Sequence, residues 1–338
     1  MPPATRSNAS ARPSSAALAG AELAALSVPD ARRGALALAR DWGVVVAAMV
    51  AAVLMPHPLV LVCAWLAVGW AQHALVILGH DAAHRSLLGS AAANRLAGRW
   101  LTWGAVGVCF EGYKRLHLPH HRLAGAADDP EHAVLPRTPY GAPFRSGSPW
   151  RASLVSLVGG ALPEFVAFAR FTRAHTLREA APALVVNGGV WVAGIATGHA
   201  VVPLLWSVSG VTSLFVFSRL RTFGEHVGSD WTHRIAAPTW LRWLSHPHHV
   251  DHHWEHHLWP SVPSFRLPEV RAAVGAPAVV PLTEMWRARG AKVGGRPARN
   301  EVRTSAPRRR SSGSTSERRP RRSPGARAGS SGSPRAPR

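Results

Sequence analysis

Cysteine and acidic residues are both scarce in this chain of 338 residues, and each shortage excludes a class of site. The two cysteines, Cys63 and Cys109, cannot form a disulfide framework and do not make a Cys-x-x-Cys motif. Both lie in apolar runs, so we expect inert, buried thiols. Asp and Glu number 18 against 39 Lys and Arg, and no glutamate belongs to a Glu-x-x-His motif of the kind found in ferritin-like di-metal helices. No carboxylate bridge between two metals is therefore evident.

The excess positive charge is concentrated in the last residues. The formal net charge is +21, and residues 291–338 hold 14 Lys and Arg against two Glu, which is +12 of the total. Because this stretch is rich in Ser, Arg, Gly and Pro, it cannot build a core, and we predict a basic disordered tail over residues 286–338. Its clusters Arg308–Arg310 and Arg318–Arg322 leave open a contact with anionic headgroups. No nucleic-acid partner is expected.

Before the first apolar run, residues 1–34 are rich in Ala, Ser and Pro. They lack the strong apolar region of a secretory signal, so we predict a flexible N-terminal arm. The domain that follows is predicted to cover residues 35–285.

Four apolar runs in this domain predict an all-α membrane protein with four transmembrane helices in two hairpins. The first pair is residues 42–55 and residues 59–79. The first of these runs is short unless it begins near Ala35 and tolerates Arg40 and Asp41 at an interface. The second run has 21 residues without charge, enough for a hydrocarbon core of about 30 Å. The second pair is residues 181–197 and 200–220. Two further segments, residues 96–110 and 150–171, are predicted to be interfacial helices.

The turns inside the two hairpins, residues 56–58 and 198–199, carry no Lys or Arg, whereas the other side carries many. The positive-inside rule therefore predicts that both termini and the loops that follow the hairpins are cytoplasmic. A helical cap is expected on that side.

Histidines gather in these cytoplasmic loops. His80 and His84 share one helix face at the end of the second span, and His117, His120 and His121 have i, i+3, i+4 spacing. His226 follows the fourth span. The stretch Ser245–Pro260 holds seven histidines in two overlapping registers, of which His253, His256 and His257 form one and His249, His252 and His253 the other.

Neutral imidazole is the commonest metal ligand in proteins. Eight or nine imidazoles on one side of the membrane exceed what one ion can take, so two metal ions with about four nitrogen ligands each fit the number. The separate motifs thus predict one histidine-rich di-metal site.

The sequences HDAAH (80–84), HLPHH (117–121) and HHWEHHLWPSVP (252–263) resemble the three histidine boxes of the membrane fatty acid desaturase superfamily, which also contains carotenoid hydroxylases and ketolases. The flanking DDPE at 128–131 and the Arg-x-x-x-Glu-His pattern at 221–226 are similar too. The resemblance covers about residues 40–275. It implies two non-haem iron ions, O₂ as co-substrate, and attack on an unactivated C–H bond of a lipid.

Carried over residue by residue, the resemblance implies that the ligands are His80, His84, His117, His120, His121, His226, His253, His256 and His257. It favours the register of His253, His256 and His257 in the third box because Leu258-Trp259-Pro260 follows it directly. Asp81, Asp251 and Glu255 are expected to support the ligands. The family often has Asn where this chain has Asp251, so that residue's contribution stays open.

Three functions remain to be separated. The first hypothesis is a fatty acid or acyl-lipid desaturase, and the alternative is a carotenoid or lipid hydroxylase or ketolase. A metal transporter is a rival from another class, with His73 as a histidine inside a span. No fused electron carrier is evident, so the resemblance implies a separate ferredoxin or cytochrome b5 donor with its reductase.

Overall fold

The computed structural model describes residues 18, 20–124, 126, 128–131, 149–222, 224–226, 231–274 and 279–286. These residues are mostly helical. Of the two terminal segments in the sequence analysis, residues 1–17 of the arm and all of the tail except Trp286 lie outside the described residues. In chain order the helices are α1 (Gly20–Leu26), α2 (Ala31–Leu54), α3 (Pro58–Ala83), α4 (Ala91–Leu96), α5 (Phe110–Leu123), α6 (Pro149–Leu157), α7 (Leu162–Phe171), α8 (Leu177–Ala196), α9 (Val201–Val211), α10 (Ser213–Thr222), α11 (Thr239–Ser245), α12 (His253–Leu258) and α13 (Leu267–Val274).

Four helical stretches are long and apolar enough to cross a membrane, as the sequence predicts. They are α2, α3, α8, and α9 with α10 taken together as residues 201–222. Pro58 occupies the first turn of α3, where its missing N–H costs no hydrogen bond, and His57 caps that helix. Because of these four apolar helices, the chain is an integral membrane protein. Its orientation across the bilayer stays a prediction.

Helix α2 begins earlier than its apolar run because its charged residues are neutralised. Asp30 caps its N-terminus by accepting a hydrogen bond from the Arg33 N–H at 3.0 Å. Asp41 is fully buried and accepts from Arg40 at 2.7 Å, and its second oxygen lies 2.7 Å from Nε2 of His248. These partners allow a carboxylate at the edge of an apolar span, and they fasten α2 to the third histidine stretch.

Helix α3 is central in the described part of the chain, because α2, α9 and α10 all pack against it. Gly69 on α3 touches Ser213 so closely that a side chain at position 69 would collide with it. Ser213 in turn donates a hydrogen bond to the carbonyl of Trp65 at 2.8 Å. The C-terminal end of α3 carries the first histidine box into the centre of the fold.

The two predicted interfacial helices are not continuous. A π-helix at Ala97–Leu101 extends α4, and residues 102–109 form turns that are largely buried. Helices α6 and α7 meet at an angle of 91°. Gly159 between them has φ +81°, a backbone conformation that favours glycine. Both segments contain helical structure, as predicted, but the turn at Gly159 and Gly160 divides the second one into α6 and α7.

The two thiols differ in their surroundings. Cys109 is buried as expected, where it accepts a hydrogen bond from the N–H of Gly112. The prediction for Cys63 is wrong, because Cys63 is exposed on the outer face of α3. An apolar transmembrane helix presents apolar residues to lipid as well as to its neighbours, so hydrophobic surroundings in the sequence do not imply burial.

Helix α1 covers the segment that follows the third histidine box. Leu18 and Leu26 pack with Trp259, Val262, Leu267 and Val270 in one apolar cluster. Next to this region, Ile235–Ala236 (β1) pairs in parallel with Val280–Pro281 (β2). Helical structure therefore begins within the stretch assigned to the N-terminal arm, and its role is to pack beside the third box.

Candidate metal centre

Four segments bring histidines to one place. His80 lies in the last turn of α3 and His84 caps that helix, with ring centroids 4.9 Å apart. Helix α5 carries His117, His120 and His121, and α12 carries His253, His256 and His257. His226 follows α10 in a turn, and its Nδ1 lies 2.6 Å from the carbonyl oxygen of Trp231.

Five of these histidines form one group, called here the five-histidine group. One ring nitrogen from each lies within 4.8 Å of those of the others. Nε2 of His117 is 3.0 Å from Nε2 of His84 and 2.9 Å from Nε2 of His121, which is 3.2 Å from Nε2 of His256. The fifth member is His80, whose ring centroid lies 4.3 Å from that of His256.

The remaining four form a second group beside the first, the four-histidine group. Ring nitrogens of His120, His226 and His257 lie within 4.8 Å of one another. Nε2 of His253 is 2.8 Å from Nε2 of His226 and 3.1 Å from Nε2 of His257. The structure therefore brings together all nine histidines that the sequence analysis proposes, and it divides them into five and four.

The chemistry of these groups fits metal ions. Imidazole nitrogens that face each other at 2.8 to 3.3 Å cannot all have hydrogen-bond donors and acceptors matched. Nε2 of His80 is buried and has no hydrogen-bond partner among the described residues. Burial, with the neighbouring imidazoles, holds the pKa of His117, His256 and His257 well below the usual value. These rings are therefore neutral at physiological pH, which is the form that binds a metal ion.

Carboxylates support several rings from behind. Asp129 contacts Nδ1 of His120 at 2.9 Å through both oxygens, and Asp81 lies 3.3 Å from Nδ1 of His80. An acceptor at Nδ1 fixes the proton there and leaves Nε2 free to bind a metal. Burial opposes protonation of His120, but nearby Glu131 and the hydrogen bond to Asp129 raise its pKa above the ordinary value.

Of the three residues expected to support the ligands, Asp81 lies against a member of the nine. Glu255 instead accepts hydrogen bonds from Arg234 at 2.7 Å and Arg271 at 2.8 Å. It points away because position 255 lies on the opposite face of α12 from positions 253, 256 and 257.

Asp251 also has other partners. It accepts a hydrogen bond from Arg242 at 3.0 Å and lies 3.2 Å from Nδ1 of His252. Although burial opposes it, these neighbours lower the pKa of Asp251 to about 2. His249, Asp251 and His252 form a separate small cluster, so the structure keeps the alternative register of the third box apart from the nine histidines.

A turn explains this separation. His248 and His249 are both in the left-handed region, with φ of 56° and 59°. That turn breaks the helical repeat, so His249 and His252 do not share the face of α12 that carries His253. The positive φ values could not be anticipated, because residues other than glycine adopt them in only a few per cent of cases.

Sequence reasoning did not assign roles to Asp129, Glu131 and Glu225. Glu225 Oε1 lies 3.6 Å from Nδ1 of His253 and 3.3 Å from Nε of Arg221. The available signals were the acidic run that follows the second box and the glutamate directly before His226. Those patterns marked the family resemblance but could not say which ring each carboxylate reaches.

A cavity of about 100 Å³ lies between the histidines and the apolar helices. Members of both groups line it, with His80 and His117 from one and His120, His226 and His253 from the other. Its remaining wall is mostly apolar and aromatic. That wall includes Val76, Trp103, Val106, Val108, Tyr113, Leu116, Phe165, Phe168, Gly210, Leu214 and Phe215.

With this geometry in hand, comparison with known proteins gives the family. Residues 32–284 match the family described as Fatty acid desaturase. The chain belongs to that family. Two β-carotene ketolases, from two strains of Paracoccus sp., are each 29% identical to it. The first match spans 64% of this chain and 81% of the relative, and the second 65% and 82%.

Family membership and these relatives make the chain an oxidoreductase of a superfamily that modifies lipids and carotenoids with oxygen. The family match confirms the histidine-box resemblance seen in the sequence.

His73 was the histidine on which the transporter hypothesis depended. It belongs to neither histidine group, and its Nε2 lies 3.0 Å from the carbonyl oxygen of Ser245.

Proposed function

We propose that this protein is an O₂-dependent carotenoid oxygenase that oxidises a ring methylene to a ketone. The shape and lining of the cavity carry the proposal, and the two ketolase relatives support it. This reverses the order of the two enzyme hypotheses in the sequence analysis. Desaturation of a fatty acid or acyl-lipid becomes the alternative.

The aromatic wall supports a ring rather than a thin acyl chain as the occupant. Trp103 stacks on Tyr113 with centroids 4.1 Å apart, and Phe168 packs at 6.0 Å from Trp103. Phe165 and Phe215, which also line the cavity, meet edge to face. Aromatic side chains that pack against one another in this way give the cavity a stiff apolar wall, which suits the end ring of a carotenoid.

The nine histidines would hold two iron ions, and bound iron would supply the activation of O₂. Asp81, Asp129 and Glu225 would orient the imidazoles through Nδ1. The aromatic and apolar side chains would exclude water and hold the ring so that one methylene faces the histidines. Substrate would enter from the bilayer, because the cavity lies beside the apolar helices.

Each hydroxylation would consume one O₂, two electrons and two protons and release one water. A second hydroxylation at the same carbon would give a geminal diol, which loses water to form the ketone. The electrons would come from a separate one-electron donor of the ferredoxin or cytochrome b5 type with its reductase. We further propose that the metal site and both termini are cytoplasmic.

The test is expression in a bacterial host engineered to accumulate β-carotene, followed by mass spectrometry of carotenoids and of total fatty acids. A ketone on the carotenoid ring supports the proposal. A new double bond in the fatty acids, with the carotenoid unchanged, would show that the protein is a desaturase. A hydroxyl product without ketone would limit the activity to the first step.

A further inference from the structure

The two histidine groups offer unequal numbers of nitrogen ligands. The first contains His80, His84, His117, His121 and His256, whereas the second contains His120, His226, His253 and His257. An ion in the second group would therefore have one protein ligand fewer. A residue that reaches this group from the cavity side could make the two ions equal in number of ligands.

Glu131 reaches both groups. Its Oε1 lies 3.5 Å from Nδ1 of His117, and its Oε2 lies 3.7 Å from Nε2 of His120. In His117 the contacted nitrogen is the one that faces away from the five-histidine group. In His120 it is the nitrogen that faces His226, at 3.3 Å, where an ion would be held. The two oxygens thus have different surroundings.

The backbone fixes Glu131 in this position. Its N–H donates a hydrogen bond to Oδ1 of Asp129 at 2.9 Å, and Asp129 also holds His120. Glu131 and His120 are therefore parts of one turn that folds back on α5. The carboxylate also lines the cavity beside the histidines.

In the described part of the chain Glu131 pairs with the histidines His117 and His120, which are neutral in the form that binds a metal ion. Among the described residues no Lys or Arg pairs with it, whereas Glu225 has Arg221 and Glu255 has both Arg234 and Arg271. Its side chain is only 16% exposed. A carboxylate in such a place needs a positive charge close by. A bound divalent cation would provide it.

Elementary coordination geometry agrees with a metal ion bound between Glu131 and His120. Metal–nitrogen and metal–oxygen bonds of about 2.1 Å place two ligands of one ion about 3 Å apart at a right angle and about 4 Å apart when opposite. The 3.7 Å between Oε2 of Glu131 and Nε2 of His120 falls between these limits.

We propose that Glu131 supplies a carboxylate ligand to the metal ion of the four-histidine group. Each ion then has five protein ligands, and one of them has an oxygen among its donors. The inference rests on the nine histidines binding two metal ions and is independent of the substrate. The pairing also joins the groups, because the same carboxylate accepts from His117.

Metal-free full-length protein, purified in detergent, would be titrated with Co²⁺ alone, and bound metal would be measured together with visible absorption. Co²⁺ bands report the number and kind of ligands. The variants are Glu131→Gln, which keeps the size of the side chain, and Asp128→Asn as control, since Asp128 is an exposed acid in the same turn. Thermal unfolding of each metal-free variant monitors folding.

We expect wild type and D128N to bind two ions. In E131Q the affinity for one ion should fall at least about tenfold, and the bands of that ion alone should change. Two ions with unchanged bands in E131Q would overturn the proposal even if affinity fell, because a residue that only orients a ring does not alter the ligand set. Failure of the wild type to bind two ions would instead overturn the nine-histidine assignment on which the proposal rests.

Discussion

Both carboxylate oxygens of Asp129 lie 2.9 Å from Nδ1 of His120. Both side chains are buried, so water does not compete for the contact. The consequence is a fixed ring: the proton stays on Nδ1, and Nε2 points at His226 in the four-histidine group.

Asp129→Asn should therefore lower metal affinity by about 10-fold to 100-fold without unfolding the protein. The amide has the same shape but offers only one acceptor oxygen, so the tautomer of His120 is no longer fixed. Metal analysis after dialysis against a graded chelator series measures the effect. Asp128→Asn serves as control, and equal metal retention by both variants would contradict the role of Asp129.

Replacement of one histidine in each register of the third box should separate the registers. His256 belongs to the five-histidine group, whereas His249 lies in the separate cluster with Asp251 and His252. We expect His256→Ala to lose bound iron and His249→Ala to retain it, as measured by elemental analysis of purified protein. The reverse result would show that the wrong register is assigned.

The cavity prediction concerns Val76 on α3, which lines the cavity beside the aromatic wall. Val76→Phe should narrow the cavity and lower kcat/KM for a ring-ended carotenoid by about tenfold, which corresponds to about 1.4 kcal/mol in activation free energy. The iron content should stay constant. Val62→Phe on the same helix is the matched control, because Val62 is exposed on its outer face. If both variants turn over the carotenoid like wild type, the substrate does not occupy this cavity.

Arg219 and Glu164 form an ion pair at 3.3 Å that fastens α7 to α10. Because the side chain of Arg219 is 3% exposed, Glu164→Ala should leave an uncompensated charge and destabilise the fold by about 3 to 5 kcal/mol. The double variant E164L/R219M removes both charges and should recover much of that loss. Thermal unfolding in detergent compares them, and equal loss in single and double variants would contradict the argument.

The pH dependence of stability can be predicted for His246, which is buried and belongs to neither histidine group. Burial lowers the pKa of His246 to about 4 from an ordinary value of 6.5. Between pH 6.5 and 4 the imidazole of His246 binds a proton in the unfolded chain but stays neutral in the folded protein. This residue therefore makes the free energy of unfolding fall as the pH is lowered from 6.5 towards 4. The slope is about 1.4 kcal/mol per pH unit.

His246→Gln should remove that contribution, which makes the unfolding temperature less sensitive to pH between 6.5 and 4. His175→Gln is the control, because His175 is an exposed histidine. Unfolding temperatures of metal-free protein across this range provide the measurement. Parallel curves for H246Q and wild type would count against the shifted pKa.

The four apolar helices and the nine histidines could be predicted because their signals are local. An uncharged run of sufficient length and an i, i+3, i+4 spacing each indicate a helix and one of its faces without knowledge of the rest of the fold. The same spacing rule places Glu255 on the other face of α12, away from His256. There it accepts hydrogen bonds from two arginines and does not contact a histidine ligand as expected.

The division of the histidines into five and four depends on how α3, α5 and α12 approach one another, which no local pattern contains. The same holds for Asp129 and Glu131, whose roles follow from a turn that folds back on α5. The left-handed backbone at His248 and His249 belongs to this class as well. Asp41 in α2 contacts His248 in that turn, and 207 positions separate the two residues in the sequence.

The contact between α1 and the segment after the third box has a consequence for biogenesis. Residues Leu18 and Leu26 leave the ribosome before any of the nine histidines, whereas Leu267 and Val270 leave it after all of them. The apolar side chains of Leu18 and Leu26 therefore lack these partners until synthesis has passed position 270, after all four apolar helices have been made. Closure of this contact is one of the last events in assembly, so a bulky fusion partner placed just before α1 should slow maturation of the enzyme while leaving membrane insertion intact.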